Sequence, residues 1–183
     1  MHPLETYLQS LHYLHTSPTG ATETLFYLPL ANLLNEVGET LKPKVRCLLD
    51  LKSIGAGLPD GGLFTADQFP KRNAKSELPG SIPLPTAPPT RGAIEIKSVS
   101  ADLRKAAYSL QVVKHLAKYR QMLVVNYREF VLVGLDFQER PIELESYRLS
   151  FKVFRSQRPA LGTGWVTCPS PICGSPILRH RRL

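Results

Sequence analysis

Asp60, Glu95 and Lys97 are residues of the types, and in the order, that metal-assisted phosphodiester hydrolysis uses. They sit in two short phrases, Leu58-Pro59-Asp60-Gly61-Gly62 and Gly92-Ala93-Ile94-Glu95-Ile96-Lys97. Ile94-Glu95-Ile96-Lys97 alternates apolar and polar, the period of a half-buried strand. Side chains two apart on a strand point the same way, so Glu95 and Lys97 are expected on one face and Ile94 and Ile96 on the other. Two carboxylates can hold an oxygen-seeking cation, Mg2+ or Mn2+. Such a cation polarises a phosphate and acidifies a water, and a neighbouring ammonium orients that water or stabilises the developing charge. Each residue also has a plainer reading. Asp60, after Pro and before two Gly, suits a turn, and Glu95 with Lys97 suits a surface ion pair.

The surrounding pattern supplies elements to carry these residues. Residues 4–14 place Leu4, Leu8, Leu11 and Leu14 on one side of a short helix. A second helix is expected over about 22–40, with Pro29 either kinking it or opening a second segment. Strands are expected over 44–51 and 62–65, then over 93–98. Between the last two, residues 69–91 collect Pro70, Pro79, Pro83, Pro85, Pro88 and Pro89, a loop excursion rather than core. A helix follows over about 101–119, then strands at 122–126 and 130–135 joined by a turn at Asn126-Tyr127-Arg128. The order is that of a mixed α/β sheet of about five strands flanked by helices. Residues 1–150 read as one domain and 151–183 as an irregular tail.

Composition bounds the function class. The chain has 183 residues, is 43% hydrophobic and carries a net charge of +8, with 23 basic against 15 acidic residues. That supports a real core and suits a polyanionic partner. No apolar run reaches the length of a membrane span. The N-terminus lacks the basic and apolar stretches of a signal peptide, so the expected location is the cytoplasm. Cys168 and Cys173 with Cys47 form neither a disulfide framework nor a zinc site. Gly162-Thr163-Gly164 lacks the Lys-Ser/Thr of a phosphate loop.

Pro59-Asp60 followed by Glu95-Ile96-Lys97 resembles the PD-(D/E)xK motif of restriction-endonuclease-like nucleases, and the element order resembles their core. Four phrases extend the likeness over about residues 19–135: Thr22 to Pro29, Gly57 to Phe64, Gly92 to Lys97, and Gln121 to Phe130. Together they are similar to the N-terminal region of bacterial restriction-modification proteins, type IIG and type ISP-like, that fuse a nuclease to an adenine-specific DNA methyltransferase. The resemblance implies a Mg2+-dependent DNA endonuclease in which Asp60 and Glu95 bind metal and Lys97 is catalytic. It implies accessory roles for Glu23 and Gln111, and as partners a second copy or a separate methyltransferase or specificity subunit. Glu23 also suits a helix N-terminus with no catalytic purpose, and Gln111 an ordinary helix surface. Lys114, Lys118 and Arg120, clustered with His115 and Tyr119, and Arg128 at the turn are candidates for DNA contact, or for a helix C-terminus and a solvated turn.

The methyltransferase Asn/Asp-Pro-Pro-Tyr motif is absent from the chain. The alternative is therefore a non-catalytic DNA-binding module or a truncated remnant of such a fusion. The motif does not by itself select DNA over RNA.

Overall fold

A computed structural model describes residues 2–16, 23–51, 59–70, 85 and 87–149. The expected tail over 151–183 and most of the proline-rich stretch lie outside these residues. Helix α1 spans Pro3–Thr16 and α2 spans Tyr27–Thr40. Pro29 falls in the first turn of α2, after a 3-10 turn over Glu23–Phe26, so of the two expected alternatives it opens a second segment. Strands β1 (Val45–Leu49), β2 (Gly61–Thr65) and β3 (Ala93–Ile96) follow. The helix expected over 101–119 is two helices, α3 (Leu103–Ala107) and α4 (Leu110–Tyr119). Asp102 caps α3 through the amides of Arg104 and Lys105, and Ser109 caps α4 through that of Val112, so each segment has its own start. Strands β4 (Met122–Val125), β5 (Glu129–Leu135) and β6 (Pro141–Arg148) complete the domain.

The six strands form one mixed sheet in chain order, with β3 and β4 parallel and every other neighbouring pair antiparallel. Helices cover both faces. Tyr7, Leu8 and Leu11 of α1 and Leu30 and Leu33 of α2 pack on Ile94, Ile96 and Val125. Leu103 and Ala107 of α3 and Val112, Leu116 and Tyr119 of α4 pack on Ala93, Val124 and Val133. Each large apolar side chain so buried contributes about 1.5–3 kcal/mol. Among the described residues, no helix is long and apolar enough to cross a membrane.

The sixth strand is absent from the sequence expectation. It is an edge strand with no buried residue over Pro141–Arg148, so its apolar pattern is diluted. Its hairpin is set instead by Asp136, whose carboxylate accepts from the Gln138 and Arg140 amides at 2.8 Å each. The ladder slips between Leu132 and Val133, leaving a bulge at Leu144, whose side chain lies over Gly134.

Candidate active site

Register, rather than proximity in sequence, assembles the site. On β2 and β3, Gly61 lies opposite Ile94 and Gly62 opposite Ala93. One further step sets Asp60 across from Glu95, on the same sheet face. Gly61 is needed for this approach, because a Cβ there would lie 2.8 Å from the Leu48 carbonyl oxygen of β1. An Asp60 carboxylate oxygen accepts from the Ile96 amide at 2.8 Å, bridging 36 residues. Asp60 is thus fastened to β3, and it is 6% exposed.

The strand carrying Glu95 differs from the half-buried expectation. All four of its residues are buried, and Glu95 itself is 1% exposed. Ile94 and Ile96 do face the α1–α2 layer, and Glu95 faces the α3–α4 layer beside Ala93 and Val124. Burial on both sides follows because β3 is an inner strand with helices above and below. Glu95 Oε1 accepts from Lys97 Nζ at 2.9 Å. Glu95 Oε2 is buried with no hydrogen-bond partner among the described residues. Desolvating a carboxylate costs several kcal/mol, and one partly exposed ammonium offsets only part of that. A buried polar oxygen without a partner is uncommon in folded proteins, where strain, a catalytic role, a water or an ion accounts for it.

Lys97 is tied at two levels. Its amide donates to the Val125 carbonyl at 2.8 Å, continuing the β3–β4 ladder by one residue. Its ammonium also reaches Gln111 Oε1 on α4 at 3.3 Å. Gln111 is therefore in contact with the candidate site. Glu23 opens the 3-10 turn that leads into α2, and its side chain lies outside the described residues.

The basic candidates do not form one cluster. Lys114 and Lys118 project from the exposed side of α4, whereas His115 and Tyr119 are buried beneath it with their rings 6.0 Å apart. Arg120 caps α4 at the far end of the sheet and pairs with Glu139 at 2.9 Å. There it borders a cleft of about 460 Å3 that contains neither carboxylate. Arg128 lies in the β4–β5 turn, at the same end as Lys97.

Sequence reasoning passed over Asn126, which is 3% exposed. Its carbonyl oxygen accepts from the amides of Arg128 and Glu129, and its amide nitrogen donates to the Ala101 carbonyl at 3.1 Å. It joins the segment after Lys97 to the β4–β5 turn. An Asn between two strands is the available signal.

Two carboxylates, of which Glu95 Oε2 has no hydrogen-bond partner among the described residues, suit Mg2+, which binds through one or two carboxylates and keeps waters and substrate phosphates as its other ligands. Among the described residues there is no group of three or more His, Cys, Asp or Glu side chains, so an all-protein cage is not present there. The fold and site together define a mixed α/β domain with a carboxylate–lysine centre at the end of an inner strand. No family model and no curated protein matches the sequence. Among solved structures, the chain is similar to a cryo-EM structure of a DrdV–DNA complex, at 16% identity and a TM-score of 0.46. The match covers 77% of this chain and 12% of the other, so this chain spans a small part of that polypeptide's length.

Proposed function

We propose that the chain is a Mg2+- or Mn2+-dependent DNA endonuclease domain of the restriction-modification type. The observation that carries this reading is Glu95, buried across from Asp60 with one carboxylate oxygen unmatched among the described residues and the other on Lys97. Asp60 and Glu95 would hold the cation, which when bound polarises the phosphate and acidifies a water. The Lys97 ammonium has three N–H donors. Two are taken by Glu95 and Gln111, which fix its direction, and the third remains for the attacking water or a phosphate oxygen. A donor held in place before reaction stabilises the charge that develops on oxygen without reorganising. Gln111 is thus a positioning residue for Lys97. The net charge of +8 supports a polyanionic substrate.

The test is conversion of supercoiled plasmid by wild type, Asp60→Asn and Lys97→Gln, with circular dichroism as the folding control. Wild type is expected to nick in Mg2+ and not in EDTA, and each variant to lose about 100-fold or more. Equal rates in all three, or cutting in EDTA, refutes the assignment. DNA binding without cleavage in either metal would favour the non-catalytic module.

A further inference from the structure

We infer that the polar edge of α4, Gln111–Lys114–Lys118, is a track for the phosphate backbone of duplex DNA leading from the candidate cleavage site; this rests on the nuclease reading. At 100° per residue, the four buried residues of α4, Val112, His115, Leu116 and Tyr119, gather on one side. Gln111, Lys114 and Lys118 then fall within about 60° of one another on the exposed side. Leu110, 90% exposed, and Val113 occupy the adjacent strip, so the basic edge is distinct.

Three features favour DNA as its occupant. The edge is continuous with the site, because Gln111 itself touches Lys97 Nζ. It carries no carboxylate partner: α4 contains no acidic residue, and neither Lys114 nor Lys118 is ion-paired among the described residues, Lys118 Nζ lying instead 5.1 Å from the centre of the Tyr119 ring. By contrast Lys44, Lys105, Arg120, Arg140 and Arg148 each lie on a carboxylate. The length also fits. Gln111 to Lys118 rises about 10 Å along the helix, the axial rise of about three phosphates on one DNA strand. Lys118 lies in the last turn and interacts with the helix C-terminus, but Lys114 is in mid-helix, where that explanation does not reach.

The experiment measures affinity for a mixed-sequence DNA duplex by fluorescence anisotropy, in EDTA, from 50 to 200 mM salt. It compares wild type, Lys114→Gln/Lys118→Gln, and a control pair, Lys44→Gln/Lys105→Gln. Each phosphate contact contributes about 0.9 to the log–log salt slope, so the α4 pair should flatten it by about 1.8. Across that fourfold range the double variant then loses about 12-fold less affinity than wild type, while the control pair tracks wild type. An unchanged slope in the α4 variant, an equal change in the control, or no duplex binding by wild type overturns the track. Wild type that cuts DNA while the α4 pair leaves the slope unchanged would overturn the track and spare the nuclease. A lysine-dependent slope without cleavage would overturn the nuclease and spare the track.

Discussion

Replacing Glu95 by Gln should make the metal-free protein more stable and metal-blind. Glu95 is 1% exposed, and among the described residues its Oε2 lacks a partner and its one ion pair is to a lysine whose side chain is 26% exposed. An unpaired buried polar atom costs about 1–3 kcal/mol, and more when charged. Gln keeps an oxygen for the 2.9 Å contact with Lys97 Nζ and exchanges the buried charge for a neutral amide. The ammonium retains its water. The Gln amide nitrogen, buried in place of Oε2, costs about 1–3 kcal/mol; with the lost attraction to Lys97 this offsets most of the several kcal/mol of carboxylate desolvation that the change removes, leaving a gain of about 1 kcal/mol. For a chain of this size that raises Tm by about 2–4 °C in EDTA. Mg2+ at ten times its Kd should stabilise wild type by about 1.4 kcal/mol, a further rise of about 3–6 °C, and leave Glu95→Gln unmoved. Differential scanning calorimetry with and without Mg2+ reads both effects. A Tm several degrees lower in EDTA, with the wild-type Mg2+ response intact, would show that Glu95 is a structural partner of Lys97 and refute the reasoning.

Asn126→Asp keeps the acceptor for the Arg128 and Glu129 amides but turns a carboxylate oxygen onto the Ala101 carbonyl. The variant should lose about 1–3 kcal/mol, and amide exchange should quicken over 98–102 but not in the β4–β5 turn; equal acceleration in both segments would count against the anchoring role. Tyr7 donates to the Tyr127 carbonyl at 2.8 Å across the α1–sheet boundary, and burial first, then Tyr127, raises its phenol far above the usual tyrosine range. Tyr7→Phe should cost about 1 kcal/mol near pH 8. The raised folded pKa means wild-type stability is intact below the unfolded value of 10.0 and is lost as pH rises past it, by about 1.4 kcal/mol per unit. The difference in urea stability between the two proteins should therefore vanish near pH 11; a constant gap would show that the phenol ionises normally in the native state.

The elements legible in the sequence are those whose own periodicity reports their burial. Leu4, Leu8, Leu11 and Leu14 mark α1, and Met122 to Val125 marks β4, because each buries an apolar side against a layer above or below. The break between α3 and α4 is written in two side-chain caps, Asp102 and Ser109, within an otherwise continuous helical pattern. An apolar period cannot show it. β6 escapes for the opposite reason: it is held by its hairpin turn and its ladder to β5, and it buries too little to leave a pattern.

The site divides along the same line. That Glu95 and Lys97 share a face follows from strand period alone, and the structure joins them at 2.9 Å. That Glu95 is fully buried does not follow, since it depends on β3 being an inner strand covered on both faces. Nor can any local pattern place Asp60, 35 positions earlier, against β3; the β2–β3 register and the closeness of Gly61 to β1 do that. The ends of the intervening chain are fastened separately. Gln68, 5% exposed, accepts from the Thr65 and Thr90 amides and donates to the Pro88 carbonyl. Chain path and site geometry are thereby uncoupled: the separation of Asp60 from Glu95 is set by one strand spacing, whatever length of chain runs between Gln68 and Pro88. A long proline-rich interval between the two halves of a metal motif is therefore no argument against the motif, provided a buried side chain closes its base.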